Sequence, residues 1–208
     1  MVACALAAAL RTRGEDIVAL KPIETGCSPR PLDAIALAVA CGDASPVDEP
    51  GFYRRGPPLA PRAVTLEGGE PLDYPRVLDA TRRYLGREHV IIEGAGGLLV
   101  PLDASRTMAD LALDLELPLL VVAVSALGVL SHTMTTLESA ASRHLDVHAV
   151  VIRDPAAADC SMATNIDILR ERLHVPVLRF PRVTGDLELR RAGEALLGEM
   201  FTRTQLCP

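Results

Sequence analysis

The sequence predicts an α/β fold in which a parallel sheet is flanked by helices on both faces. Short apolar runs alternate along the chain with longer segments of helical pattern, and strands joined through helices pair in parallel. The runs lack polar alternation, so they indicate strands buried on both faces. At 208 residues, the chain is expected to form a single α/β domain, residues 1–208, with a sizeable core.

The apolar runs that predict strands are short and rich in Val, Ile and Leu. They cover Asp16–Leu20, residues 89–93, Pro118–Val124, Val147–Ile152 and Val175–Phe180. Residues 42–75 are rich in Pro and Gly with scattered charge, which indicates that their first half is an irregular excursion.

Segments of helical pattern separate these strands. They are Met1–Arg13, Asp33 to about Cys41, Tyr74–Arg87, Thr107–Leu115, Ser131–Arg143, Thr164–Leu173 and Leu187–Met200. The first places Val2, Leu6 and Leu10 on one side, and Gly14 gives it a natural stop. Asp33 can open the second as an N-cap.

Composition excludes several classes of function. A net charge of -6 argues against a nucleic-acid binder and offers no polybasic patch to a membrane. The longest apolar run, Leu117–Leu130, is too short to span a bilayer. The 5 cysteines show neither C-x-x-C nor zinc spacing, so reduced thiols in a cytoplasmic protein are the simplest account.

The most informative stretch runs from His89 to Leu102. Its strand ends on Glu93, and glycines follow at 94, 96 and 97. Ligands of parallel sheets lie beyond the carboxyl ends of the strands, and glycine lets backbone N–H groups approach a ligand closely. A carboxylate that faces phosphate oxygens needs a cation between them, commonly Mg²⁺. The alternative is a tight glycine turn with Glu93 solvated.

Among the 21 lysine and arginine residues, only Lys21 is a lysine. Its compact ammonium suits a narrow site among oxygens better than a guanidinium does. Because Lys21 and Glu93 end strands and Asp33 lies across a loop, we expect the three to meet at one edge of the sheet. Such a cluster indicates a phosphoryl-transfer site with a divalent metal. The alternatives are a structural ion pair for Lys21 and a helix N-cap for Asp33.

Several motifs together resemble the dethiobiotin synthetases of biotin biosynthesis. The motifs are Lys21-Pro22-Ile23-Glu24-Thr25-Gly26-Cys27, Leu32-Asp33-Ala34, Glu93-Gly94-Ala95-Gly96-Gly97-Leu98-Leu99-Val100-Pro101-Leu102, Leu127-Gly128-Val129-Leu130-Ser131-His132-Thr133 and Thr136-Leu137-Glu138. They keep the family's order and spacing, and the first and third blocks are specific in combination. The resemblance implies a P-loop NTPase-like fold.

The resemblance also implies the reaction. A ligase of this family uses ATP and Mg²⁺ to close a ureido ring on 7,8-diaminononanoate with CO₂, giving dethiobiotin, ADP and phosphate. A carbamate formed on one amine attacks the γ-phosphate, and the second amine then displaces phosphate. The family further implies a homodimer as the working form.

Site residues follow from the same resemblance. It assigns Lys21 a catalytic, charge-stabilising role, and Asp33 and Glu93 the binding of Mg²⁺. The implied substrate contacts are Thr25, Gly128 and Ser131, and the implied nucleotide contacts are Asp33, Glu93, Gly94, Ala95, Gly96, Arg153, Asp154 and Pro181. Thr25 can alternatively stabilise its turn. Arg153-Asp154 stand where the family usually has a base-reading asparagine, so a looser nucleotide preference is an alternative.

The sequence departs from the family at the phosphate-binding loop. No Gly-Lys pair occurs in the chain, so the expected fold lacks the first strand and the P-loop. We expect that the chain is truncated at its N-terminus. An upstream reading frame that encodes no Gly-Lys-Thr loop would contradict this expectation. Two alternatives stay open: a regulatory ATPase switch of the same broad fold, and a non-catalytic remnant. The mixed charge of Leu187–Pro208 counts against the switch.

Overall fold

The computed structural model describes residues 1–157 and 160–204, with side chains described up to residue 200. Contacts between residues divide the chain into two compact units. Residues 7–116 make up most of the first unit, and the described residues from 117 onward make up most of the second. The assignment of the whole chain to one domain stays a prediction.

All strand pairing in the described residues is parallel. The strands are β1 (Ile17–Leu20), β2 (Ile23–Thr25), β3 (Tyr53–Arg55), β4 (His89–Ile92), β5 (Leu119–Val124), β6 (Val147–Arg153) and β7 (Val177–Phe180). In the first unit β1 pairs with β4 and β2 with β3, and in the second β6 lies between β5 and β7. The predicted α/β class is confirmed, although the pairing falls into separate groups and does not run through one sheet.

Helices connect most of these strands. They are α1 (Val2–Thr12), α2 (Leu32–Cys41), α3 (Pro61–Leu66), α4 (Tyr74–Arg82), α5 (Met108–Leu115), α6 (Val129–Ser142), α7 (Met162–Arg172) and α8 (Asp186–Thr204). In α4, Asp73 is the N-cap and accepts a hydrogen bond from Arg76 N at 3.2 Å. The helix ends at Arg82, so the predicted extension to Arg87 was wrong.

The segment 42–75 holds more structure than its composition predicts. Its first half contains β3, so the expectation of an irregular excursion was wrong for those residues. Its second half contains α3, which was not predicted. Pro61 stands in the first turn of α3, where the fixed φ of proline favours helix initiation. Pro61 could have indicated the start of a helix, but the other Pro and Gly residues around it favoured irregular structure.

The core of the first unit forms around β1, all of whose residues are buried as predicted. Val18 and Leu20 pack with Phe52 and Ala80. In the second unit, β6 lies at the centre of the core because it is covered by a strand on both sides. The buried residues of that core are Val129, Val150, Ile152, Leu169 and Val177.

Two strands predicted to be buried on both faces are more exposed than expected. All residues of β4 are half-buried, and in β5 Val122 is 46% and Val124 40% exposed. Among the described strands, β4 pairs only with β1 and β5 only with β6. Both are therefore edge strands, and the prediction of full burial was wrong because an apolar run does not reveal whether both of its edges are paired.

Candidate functional site

A cavity of about 280 Å³ lies in the first unit. Its lining residues are Lys21, Glu24, Thr25, Asp33, Leu59, Ala60, Pro61, Ala95, Gly96 and Val100. In the β1–β4 pair Leu20 stands opposite Ile92, so the residues that follow these two strands emerge side by side. The cavity therefore lies beyond the carboxyl ends of neighbouring parallel strands, where ligands of α/β proteins bind.

Lys21 is the centre of the polar part of this cavity. Its Nζ donates to Glu93 Oε1 at 2.8 Å and to the Gly94 carbonyl at 2.9 Å, and it lies 3.0 Å from Asp33 Oδ2. The lysine side chain is 7% exposed, against 31% for Glu93 and 57% for Asp33. The predicted convergence of these three side chains is confirmed. Because a structural ion pair would look the same, the catalytic and metal-binding roles stay predictions.

Electrostatics favour the charged form of Lys21. Burial lowers the pKa of the ammonium, but hydrogen bonds and charges from Glu93 and then Asp33 outweigh that effect and raise the pKa above its ordinary value. Lys21 is therefore a fixed positive charge near neutral pH and is unsuited to act as a base.

We expect direct titration to place the pKa of Lys21 above 10.5, the value of an unperturbed lysine. Because the folded pKa exceeds the unfolded one, this group stabilises the fold fully below about pH 10.5 and loses that contribution as the pH rises through the folded pKa. Lysine labelled with ¹³C at Cε gives one NMR signal, since the chain has one lysine. A midpoint below that of free lysine would contradict the prediction.

Glu24, for which no role was predicted, is also part of the cavity wall. It is 5% exposed and accepts from the backbone N–H groups of Asp33, at 2.9 Å, and Ala34, at 3.1 Å. Thr25, the predicted substrate contact, ends β2 and lines the cavity half-buried. Glu24 directly precedes Thr25, the predicted substrate contact, but neighbouring residues of a strand normally point to opposite sides. The sequence pattern therefore offered little reason to expect both residues in one site.

The turn after β4 brings backbone close to the cavity. Of the predicted residues 94–96, Gly94 contributes its carbonyl to Lys21, while Ala95 and Gly96 line the cavity. Gly96 has a φ of 71°, and a Cβ at this position would lie 2.8 Å from Val100 Cγ2. Glycine is therefore required at 96 for both backbone conformation and space.

Replacing Gly96 by alanine is expected to lower the free energy of unfolding by about 1–3 kcal/mol, because the left-handed backbone and the contact with Val100 both oppose a side chain. Gly97→Ala is the matched control. A Cβ at Gly97 meets nothing within 4 Å, so its effect should stay within about 0.5 kcal/mol. Urea denaturation measures both, and equal losses for the two variants would contradict the assignment of strain to Gly96.

One side of the cavity is apolar, and it was not predicted from the sequence. It is formed by Leu59, Ala60, Pro61 and Val100. Leu59 and Ala60 precede α3, Pro61 opens it, and Val100 follows the glycine turn. These apolar residues come close to the charged residues Lys21, Glu24 and Asp33 only through tertiary contacts. The cavity can therefore receive a ligand that combines charged groups with a hydrocarbon part.

The remaining predicted site residues belong to the second unit. Gly128 is the N-cap of α6 with a φ of 96°, and Ser131 is exposed in the first turn. Arg153 ends β6, and Pro181 is exposed directly after β7. Asp154 Oδ2 lies 2.9 Å from Arg179 Nη2. The substrate and nucleotide roles of these residues stay predictions.

The donor set of the cavity suits Mg²⁺ within limits. The described residues contain no group of three or more His, Cys, Asp or Glu side chains that could hold a metal by themselves. Mg²⁺, however, is commonly held by one or two carboxylates together with substrate phosphates and water. Asp33 and Glu93, which both contact the Lys21 ammonium, can supply the two carboxylates of such a site.

No helix in the described parts of the chain combines the length and the apolar character needed to cross a membrane.

Comparison with known proteins identifies the family. A family model described as an AAA domain matches residues 1–183. The ATP-dependent dethiobiotin synthetase BioD of Anaeromyxobacter sp. (strain Fw109-5) is 40% identical over 160 residues, which are 76% of this chain and 72% of the relative. The proteins of the same name from Haloferax mediterranei and Aquifex aeolicus are 34% and 33% identical, over 87% and 88% of this chain and 77% and 83% of their own lengths. The chain therefore belongs to the dethiobiotin synthetase family.

Proposed function

We propose that this protein is an ATP-dependent dethiobiotin synthase, a ligase of biotin biosynthesis that converts 7,8-diaminononanoate, CO₂ and ATP into dethiobiotin, ADP and phosphate. Family membership supports the reaction class. The observation that carries the proposal is the Lys21 ammonium, held by Asp33, Glu93 and the Gly94 carbonyl at the edge of the cavity. A preorganised positive charge supports the proposal, because phosphoryl transfer needs stabilisation of developing negative charge.

The reaction forms a carbamate when one amine nitrogen bonds to CO₂ and loses a proton. A carbamate oxygen bonds to the γ-phosphorus and ADP leaves. The second amine then bonds to the carbonyl carbon and loses a proton as phosphate leaves. Negative charge accumulates on the carbamate and on the transferring phosphoryl group. Lys21 stabilises that charge, while Thr25 donates a hydrogen bond to the substrate. The apolar surface of Leu59, Pro61 and Val100 packs against the hydrocarbon chain.

We further propose that Asp33 and Glu93 hold Mg²⁺, whose charge would neutralise the phosphate oxygens. Asp33→Asn and Glu93→Gln keep the side-chain size and are each expected to raise the Mg²⁺ concentration that gives half-maximal activity by about tenfold or more. A Mg²⁺ titration of product formation measures this. An unchanged requirement in both variants would remove them as ligands.

The homodimer, a cytoplasmic location and the roles of the second unit are parts of the proposal that rest on the resemblance. We propose that Gly128 and Ser131 contact the substrate and that Arg153, Asp154 and Pro181 contact the nucleotide. Light scattering after gel filtration tests the dimer, and a monomeric mass at working concentration would contradict it.

The decisive experiment supplies the full chain with ATP, Mg²⁺, 7,8-diaminononanoate and ¹³C-bicarbonate. We expect dethiobiotin with one ¹³C and one phosphate released per product. Thermal shift separates the other outcomes, because a ligand that binds the folded state raises the melting temperature. A shift with nucleotide alone and no labelled product would favour an ATPase switch, and no shift with either ligand would favour a non-catalytic remnant.

A further inference from the structure

Glu24 is a buried carboxylate to which the proposed function gives no task. It is 5% exposed, and carboxylates are rarely buried to this degree without specific partners. Oε1 accepts from Asp33 N at 2.9 Å, and Oε2 accepts from Ala34 N at 3.1 Å. Both of its oxygens are thus used to bind the first turn of α2.

That first turn lacks a cap of its own. The N-cap of α2 is Pro31, which makes no side-chain cap hydrogen bond because proline carries no side-chain acceptor. The first N–H groups of a helix need partners from elsewhere. Glu24 supplies them from β2, and its negative charge also complements the positive end of the helix.

The neighbouring strand β3 favours a charged side chain at position 24. β2 and β3 pair with Glu24 opposite Arg54, so the two side chains share one face. Burial lowers the pKa of the Arg54 guanidinium, and the Glu24 carboxylate is the first influence that opposes this. A neutral amide at position 24 would lack both this attraction and one of its two acceptors.

We propose that Glu24 is a positioning residue, which anchors the first turn of α2 to β2 and thereby holds the Asp33 carboxylate against Lys21. The contacts form a closed path: Asp33 is bound through its backbone N–H to Glu24 and through its side chain to Lys21. Lys21 directly follows β1 and Glu24 is the middle residue of β2, so the two belong to the same short stretch of chain. Because Asp33 is itself largely exposed, its own burial contributes little to its orientation.

The catalytic consequence rests on the proposed function. If Lys21 and Asp33 act on the phosphoryl group, a displacement of about 1 Å can cost up to about 10²-fold in rate. We therefore expect Glu24→Gln to lower kcat by about ten- to a hundredfold, with a smaller change in KM, because the apolar wall that receives the substrate is untouched.

The single lysine makes the geometry measurable without activity. Protein labelled with ¹⁵N-lysine gives one ammonium signal, which reports directly on the hydrogen bonds of Lys21 Nζ. We expect Glu24→Gln to move this signal in the same direction as Asp33→Asn, and the double variant to move it no further than Asp33→Asn alone. The matched control is Glu49→Gln: the Glu49 side chain is 11% exposed, and it accepts from Gly51 N at 3.1 Å. It should lower the melting temperature and leave the lysine signal in place.

An unchanged lysine signal in Glu24→Gln would overturn the proposal, as would additive shifts in the double variant. If Glu24→Gln does not fold, Glu24→Asp keeps the charge one methylene shorter and should give a partial shift, and no shift there would count against the proposal. Slow hydrogen exchange of the Asp33 and Ala34 amides in the unmodified chain supports the anchor, and exchange at unprotected rates contradicts it. A wild-type chain without ligase activity would refute the proposed function and leave these signals as a valid test.

Discussion

Lys21→Ala is expected to lower the rate of dethiobiotin formation by about 10³-fold, the upper range for loss of one group that stabilises transition-state charge. The ammonium carries the positive charge on which the mechanism depends, and its removal also leaves the carboxylates of Asp33 and Glu93 facing each other without a counter-charge. The measurement is kcat/KM from ¹³C incorporation. A loss smaller than tenfold would contradict the central role of Lys21.

Lys21→Arg is the informative companion because it keeps the charge. The present nitrogen is surrounded by acceptors at 2.8, 2.9 and 3.0 Å, an arrangement that fits a compact ammonium and does not fit a planar guanidinium with spread donors. We expect at most about a tenfold recovery over Lys21→Ala. Recovery to near wild-type activity would show that charge alone is sufficient.

Phe180→Ala is expected to lower the free energy of unfolding by about 3–5 kcal/mol, because it removes a fully buried aromatic ring and leaves a cavity. Phe180 is 0% exposed and pairs with Arg153 across β7 and β6. Leu187→Ala is the matched control in the same unit: Leu187 is 55% exposed, and its truncation should cost no more than about 0.5 kcal/mol.

Urea denaturation followed by circular dichroism distinguishes the two variants. For Phe180→Ala we expect a clearly lower urea concentration at the midpoint of unfolding. The slope of the unfolding free energy against urea concentration should stay that of the wild type. A loss below about 1 kcal/mol would mean that the neighbouring side chains collapse into the space, which is uncommon for a ring of this size.

Part of the candidate site could be predicted because it depends on local sequence. Lys21 and Glu93 each follow a short apolar run, and parallel strands bring their carboxyl ends to one edge, so their meeting with Asp33 required only the α/β pattern. Gly96 was predicted only as one of the residues 94–96 that the family resemblance assigned to the site. Its left-handed φ and its contact with Val100, however, became apparent only in the structure.

Other features could not be predicted because they depend on residues that are distant in the chain. The role of Glu24 requires α2 to begin beside β2, and the apolar wall requires α3 to pack against the glycine turn. The exposure of β4 and β5 follows from which edges are paired. An apolar run does not indicate which edges of its strand are paired, since burial of the faces and pairing of the edges are separate conditions.

The sequence by itself determined the α/β class, the parallel pairing of its strands and the position of one ammonium and two carboxylates at strand and helix ends, since these follow from periodicity and from the order of elements. Only the tertiary structure decided which acceptors Lys21 uses, how Asp33 is held and what lines the rest of the cavity. Those outcomes depend on distances of a few ångströms between separate elements, and such distances arise from packing and not from local preference.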